Sequence, residues 1–331
     1  MKVYDVAVVG ATGLVGRKMI QVLEEHRFPV GKLRPLATAR SVGKTVEYNG
    51  KQIAVEELTL NSFTGIEIAL FSAGGPVSKE FAPHAVKSGA LVIDNSSAFR
   101  MVDGIPLVVP EVNAKDIFHN KGIIANPNCS TIQMCVALKP LHDKWKIRRV
   151  VVSTYQSVTG AGQKGVNQLH AELDEDDSYE KKFPHPIAFN VLPHIDIFSD
   201  DGYTREEHKM VFETKKIFGD DSIQICPTCV RVPTIGGHSE ALNIEFEKPY
   251  ELLDVFEALR HAPGVVVQDD VNQNIYPMPI WAHDKDEVFV GRIRRDETTK
   301  NGLNMWVVSD NLRKGAATNA VQIAEEWIKR H

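Results

Sequence analysis

Along the first 130 residues, apolar runs of strand length alternate with stretches of helical period. Val3–Val9 is almost continuously apolar, broken at Asp5, which is the pattern of a strand covered on both faces. Leu14–Glu25 then sets Val15, Met19, Val22 and Leu23 along one helical face. Further buried strands are expected at Ile66–Phe71, Ala90–Ile93 and Ile123–Ala125, and Val77–Ser88 reads as a helix stopped by Gly89. Such alternation predicts parallel βαβ units in a doubly wound α/β sheet. From about Lys146 the texture changes. Arg148–Gln156, Gln224–Pro233, Ala241–Phe246, Val288–Arg294 and Leu303–Ser309 are strands with more polar alternation. They predict a mainly antiparallel sheet with helices near Gln163–Leu173, Thr204–Ile217 and Leu252–Ala262 on one face, an α+β domain. The tail returns to helical period through Ala317, Val321, Ala324, Trp327 and Ile328, and is expected to pack back on the first domain. Residues 1–130 plus 313–331 are thus assigned to the first domain and 131–312 to the second.

Composition narrows the classes. Apolar residues make up 43% and charged residues 24%, which excludes a disordered chain or a fibrous repeat. The net charge of −5, with no basic run, argues against nucleic acid or an anionic membrane as partner. No run of about 18 apolar residues is present to span a bilayer. The opening Met1–Val6 enters a strand at once, so no leader is expected. Four cysteines are too few for a disulfide framework and suit a reducing, cytoplasmic location. The acidic segment 172–177 reads as a solvated helix end or loop, its carboxylates too crowded and without flanking ligands for a metal site.

Gly10-Ala11-Thr12-Gly13-Leu14-Val15-Gly16 follows the first strand and opens the first helix. Glycines are needed where backbone turns tightly and approaches a pyrophosphate whose charge rests on helix N-terminal amides. An ordinary strand–helix turn could also use them. Position after an N-terminal buried strand favours dinucleotide binding through Gly10, Thr12, Gly13, Leu14 and Val15. NAD binders usually end the second strand with an acid. Here Leu36-Ala37-Thr38-Ala39-Arg40-Ser41 offers Arg40 and Ser41 instead, which favours the 2′-phosphate of NADP.

Asn126-Pro127-Asn128-Cys129-Ser130-Thr131 ends a strand and begins a helix, read as Ser130–Leu138. Helix amides and dipole stabilise a thiolate at that point, although a lone cysteine is more often a small buried residue. Cys135 falls on the apolar face of the same helix. Cys226 and Cys229 form C-x-x-C in an apolar strand, without a second ligand pair at zinc spacing, and read as packing residues. No metal site is expected. Among twelve histidines, His238 stands out, because Gly236-Gly237 permits a sharp turn that exposes the imidazole and Arg231 precedes it. Spacing alone does not pair His238 with Cys129.

These segments, with Ala39–Lys44, Asp94–Arg100, Tyr155–Gly162 and Arg231-Val232-Pro233, make the chain resemble the aspartate-β-semialdehyde dehydrogenases over essentially its whole length. The resemblance implies an NADP-dependent, phosphorylating aldehyde dehydrogenase with a Rossmann domain and an α+β domain for catalysis and dimerisation. It would interconvert L-aspartyl 4-phosphate and L-aspartate 4-semialdehyde for lysine, methionine and threonine synthesis, as a homodimer or homotetramer. By the same resemblance, Cys129 would be the acyl-thioester nucleophile, His238 the general acid–base and Gln156 the residue that orients the intermediate. Arg231 would hold the substrate carboxylate with a bidentate fork. Arg100, Asn128 and Lys209 would receive phosphate, and Glu206 or its neighbour Glu207 the substrate ammonium. Thr159, Gly160 and Asn311 would touch the nicotinamide half. Three alternatives share part of this pattern: N-acetyl-γ-glutamyl-phosphate reductase, glyceraldehyde-3-phosphate dehydrogenase, whose cysteine motif differs, and a catalytically silent NADP-binding paralogue.

Overall fold

The computed structural model describes residues 2–176 and 178–330; Met1, His331 and Asp177 of the acidic segment lie outside the described residues. The chain divides into two compact units, Met1–Asn128 with Ala316–His331, and Cys129–Gly315.

The first unit is built from β1 (Tyr4–Val9), α1 (Leu14–Glu25), β2 (Val30–Ala37), the hairpin β3 (Thr45–Tyr48) and β4 (Lys51–Ala54), β5 (Glu56–Glu57) and β6 (Ile68–Phe71). It continues through α2 (Gly75–Lys87), β7 (Leu91–Asp94), the short α3 (Pro110–Asn113) and β8 (Ile123–Ala125). Its main sheet is parallel, in the order β5-β2-β1-β6-β7-β8. Alternate residues of β1 enter different cores: Val6 and Val8 join α1 and the C-terminal tail, whereas Ala7 and Val9 join α2. That two-sided burial is why β1 reads as an almost continuous apolar run. Strand order runs outward in both directions from β1, so the loop at its carboxyl end occupies the topological switch point, where open α/β sheets bind ligands. That loop is Gly10–Gly16. The β3–β4 hairpin was not anticipated, although its turn, Asn49 (φ 50°) and Gly50 (φ 69°), is the Asn-Gly pair that such hairpins favour.

Gly16 has no room for a side chain. A methyl built there would lie 2.2 Å from the carbonyl oxygen of Gly10, backbone against backbone. Gly16→Ala should therefore destabilise the fold by about 1–3 kcal/mol through overpacking. Urea unfolding of both proteins measures it, and an unchanged midpoint would refute this packing argument.

The second unit contains α4 (Cys129–Trp145), β9 (Ile147–Ser157), α5 (Gln163–Leu173), α6 (Arg205–Phe218), β10 (Gln224–Val232) and β11 (His238–Phe246). It ends with α7 (Leu252–Arg260), β12 (Val265–Val267), α8 (Pro279–Ala282), β13 (Val288–Asp296) and β14 (Gly302–Ser309). The sheet order is β10-β9-β11-β14-β13-β12. The three central pairings are antiparallel and the two outer ones parallel, so the sheet is mixed. α4, α6 and α7 pack against it, α6 by β10 and α7 by β12 and β13. Three expectations need correction. α5 does not join that layer: Leu169 packs instead with Val158, Phe183, Ile187 and Leu192, because the following segment folds over it. Glu172 is not a solvated helix end, since its carboxylate accepts from the amides of Ile187 (2.7 Å) and Ala188 (2.8 Å) and ties that segment down. Cys226 is exposed on the edge strand β10 while Cys229, three residues on, is buried. Their odd spacing puts them on opposite faces.

The tail helix α9 (Thr318–Ile328) returns to the first unit, where Ala317, Ala320, Val321, Ile323 and Ala324 complete the core beneath α1. Among the described residues, no helix is long and apolar enough to cross a membrane.

Candidate active site

Cys129 is the first residue of α4 and is partly exposed. Gly315 lets the backbone come close to it, since a methyl there would lie 3.0 Å from Cys129 Cβ. Burial pushes the Cys135 and Cys229 thiols far up, which leaves them unreactive at neutral pH.

His238 begins β11 beyond the Gly236-Gly237 turn, and Gly236 takes φ +89°. The backbone N–H of Ser157 donates to His238 Nδ1 at 3.0 Å. With Nδ1 accepting, the neutral ring carries its proton on Nε2. Nε2 is buried and has no protein partner in the structure. Burial, and then the adjacent Arg231 guanidinium, hold the ring well below the ordinary histidine pKa, so it is neutral at pH 7. The double glycine therefore does not expose the imidazole, as the sequence suggested, but buries it completely. The turn has to be glycine at Gly236, where a methyl would strike His283 at 2.4 Å.

Arg231 lies near the end of β10, 5% exposed, with Nη1 donating to the Ser157 carbonyl at 2.7 Å. A methyl on Gly160 would sit 2.9 Å from Arg231 Nη1 and 3.1 Å from His238 Nε2, so this glycine makes room for both. Thr159 Oγ1 donates to Asn311 Oδ1 at 2.8 Å and shares a 2.7 Å bond with Ser157 Oγ. Of the residues expected at the nicotinamide, Thr159 and Asn311 thus share one hydrogen-bonded network with Ser157, and Gly160 lies against His238 and Arg231.

Helix capping separates the surroundings of Glu206 from those of Glu207. Glu207 closes a capping box with Thr204 and accepts the Cys229 amide at 2.9 Å, so both its oxygens hold backbone. Glu206 instead faces Gln156 Nε2 at 3.4 Å and Lys209 Nζ at 3.1 Å. Lys209 also donates to Asp196 at 2.7 Å, a residue that sequence reasoning missed. Burial works against its charge, but Glu206 and Asp196 outweigh that and raise its pKa.

In the first unit, α1 begins without a capping side chain or an acid in its first turn, which leaves its amides for a pyrophosphate. Gly10 takes φ +84°, where any side chain is strained. Thr12 Oγ1 and Ser41 Oγ stand 3.3 Å apart, joining the glycine loop to the turn after β2, and Arg40 is exposed on that turn. These features fit a dinucleotide. Arg100 is held by the carbonyls of Asn126 (2.9 Å) and Asn95 (3.0 Å) beyond β8 and β7, and Asn128 is buried nearby in sequence.

His283, Asp284 and Asp310 bring ligand-type atoms within 4.8 Å of one another. The Asp310 carboxylate is spent on the amides of Asp284, Leu312 and Arg313 and on His283 Nδ1, the bonding of a turn brace.

Comparison with known proteins agrees with this layout. Residues 5–120 match the semialdehyde dehydrogenase NAD binding domain and 138–314 the semialdehyde dehydrogenase dimerisation domain. Aspartate-semialdehyde dehydrogenase of Aquifex aeolicus is 57% identical, with 98% of each chain covered. That of Bacillus subtilis is 50% identical over 98% of this chain and 97% of its own. The structure of aspartate semialdehyde dehydrogenase II from Vibrio cholerae, complexed with ASA, superposes with TM-score 0.96 at 48% identity, covering 99% of both chains. The Candida albicans enzyme with NADP gives 0.78 at 26% identity, again over 99% of both chains. An NAD(P)-binding first unit, a second unit of the dimerising type and this degree of identity over the full length place the chain in the aspartate-semialdehyde dehydrogenase family.

Proposed function

We propose that this chain catalyses the NADP-dependent interconversion of L-aspartyl 4-phosphate and L-aspartate 4-semialdehyde through a Cys129 thioester. The observation that carries this reading is the pairing of Glu206 with Gln156 and the buried Arg231 within one unit. A carboxylate and an arginine fork together suit a substrate bearing both a free ammonium and a carboxylate. An N-acetylated substrate has no ammonium to offer Glu206.

In the reductive direction, Cys129 Sγ forms a bond to the acyl carbon and phosphate leaves, its charge met by Arg100, Asn128 and Lys209. Arg231 holds the α-carboxylate, Glu206 the ammonium, and Gln156 orients the acyl group. When bound, NADPH supplies the hydride. Thr159, Gly160 and Asn311 would hold its nicotinamide half, and Gly10, Thr12, Gly13, Leu14 and Val15 its pyrophosphate. His238 offers Nε2–H to the oxygen that gains charge; collapse to aldehyde and thiolate then needs no net proton. In this step His238 thus acts as a hydrogen-bond donor.

The test is one assay of NADP reduction with aspartate semialdehyde, N-acetylglutamate semialdehyde and glyceraldehyde 3-phosphate, each with and without phosphate. Turnover is expected with the first and only with phosphate present. Faster turnover of the N-acetylated substrate would assign the other reductase, and none with any substrate the silent paralogue.

Arg40, Ser41 and Lys44 follow β2 where NAD binders carry an acid, which supports NADP. Arg40→Ala should raise KM for NADP about tenfold or more, the loss of one charge-assisted bond, and leave KM for NAD nearly unchanged. A wild-type preference for NAD refutes this. The same reading takes the protein to be cytoplasmic. The match to a dimerisation domain supports an oligomer, and the homodimer or homotetramer would bury the open sheet face carrying Tyr155 and Trp306, whose rings lie 5.4 Å apart.

A further inference from the structure

Beneath His238 the second sheet buries a carboxyl group that the reaction does not use. Glu240 follows His238 by two positions on β11 and so shares its face, opposite Thr154 of β9 and Val307 of β14. It is fully buried, and among the described residues neither carboxyl oxygen has a hydrogen bond of ordinary geometry, Gln133 being the polar side chain it meets. Gln133 of α4 lies against it, also fully buried. Gln133 is one helical turn beyond Cys129 and therefore on the same side of the helix. Its Nε2 donates to the His238 carbonyl at 3.3 Å, and its Oε1 is left without a donor.

Two buried acceptors side by side without a proton between them would each cost the desolvation of a polar group. One proton resolves both: an O–H on Glu240 can donate to Gln133 Oε1. Among the described residues, no cation acts on the carboxyl to favour its charge. Gln133 is the one side chain that opposes the effect of burial, and burial raises the Glu240 pKa well above the carboxylate range. The remaining titratable groups nearby are the thiols Cys135 of α4 and Cys229 of β10, both of which feel Glu240, and Glu213, Glu206 and Glu207 of α6, which act on those thiols. Arg231 acts on His238 itself.

We propose that Glu240, as a neutral acid, and Gln133 form a buried positioning pair that fixes the strand bearing His238 against the helix bearing Cys129. Glu240 holds the Gln133 amide in one orientation, and Gln133 in turn holds the His238 backbone. This rests on the reading of His238 and Cys129 as the reacting pair.

Glu240→Gln, Glu240→Leu and Gln133→Met in the full-length enzyme test it. Glu240→Gln keeps a donor for Gln133 Oε1, so kcat should stay within about threefold of wild type. Glu240→Leu and Gln133→Met should lower kcat about tenfold or more with KM for aspartate semialdehyde within about twofold, as misplacement of a reacting group does. A second measurement does not depend on activity. The native state keeps a proton on Glu240 that the unfolded chain releases above the ordinary carboxyl range, so folding takes up a proton and weakens as pH rises. Urea unfolding between about pH 6 and 9 should therefore show wild type losing ground to Glu240→Gln, by up to about tenfold in the folding constant per pH unit. A stability gap that does not change with pH, or wild-type kcat in both Glu240→Leu and Gln133→Met, overturns the proposal. An inactive wild type with a pH-dependent gap would instead overturn the functional reading and leave the neutral Glu240 standing.

Discussion

Cys129→Ser is expected to lose turnover by at least about a thousandfold while unfolding and NADP binding stay as in wild type. A serine hydroxyl is a far weaker nucleophile than a thiolate at neutral pH. The exchange itself is sterically mild, because oxygen is smaller than sulfur and the tight approach of Gly315 is to Cβ, which both residues share. Loss of activity therefore reports chemistry rather than misfolding. Thiol labelling gives an independent check. Cys135 and Cys229 are buried, with pKa values pushed up by burial, and should not react with iodoacetamide. Cys226 is exposed and should react whether or not substrate is present. Cys129 alone should be protected by aspartate semialdehyde. A serine variant retaining more than a few per cent of wild-type rate, or a Cys129 that substrate fails to protect, would sink the covalent mechanism.

Arg231→Lys should raise KM for aspartate semialdehyde by about ten- to a hundredfold and leave KM for NADP within about twofold. Arg231 has one nitrogen committed to the Ser157 carbonyl, and in the proposed role the rest of its fork meets the carboxylate. Lysine can serve one of those tasks at a time. Burial adds to the loss. Arginine stays charged even though burial lowers its pKa, whereas a lysine at a site only 5% exposed is driven toward its neutral form. Initial rates with cofactor and semialdehyde varied separately decide the point. An equal rise in both constants would mean that the substitution had disturbed the unit as a whole rather than the carboxylate site.

Much of this molecule is readable along the chain because its cues are local. β1 is apolar on both faces since both are covered, and the glycine loop follows it directly in sequence. Cys129 at the start of α4 is likewise a neighbour relation between a strand end and a helix start. The period of α9 is that of a helix with one buried side, and its place in the first core agrees with that period. What failed was information that depends on partners distant in sequence. Cys226 and Cys229 look alike in an apolar run, yet an edge strand buries one and exposes the other. Glu172 looks like part of an acidic surface until residues 187 and 188 fold back onto it.

By itself, the sequence determined the two-part architecture and the dinucleotide loop, both carried by spacing within about one element. Tertiary structure alone decided how those residues are held. The amide of Ser157, 81 positions from His238, sets which ring nitrogen carries the proton. The Cys229 amide, 22 positions away, and the Thr204 cap occupy Glu207, whereas its neighbour Glu206 faces Gln156 and Lys209. Gln133 meets the backbone of His238 across 105 positions. A tautomer, the assignment of one of two adjacent acids and the ionisation of a buried one all depend on which groups the fold brings within hydrogen-bond reach, and no periodicity along the chain encodes that.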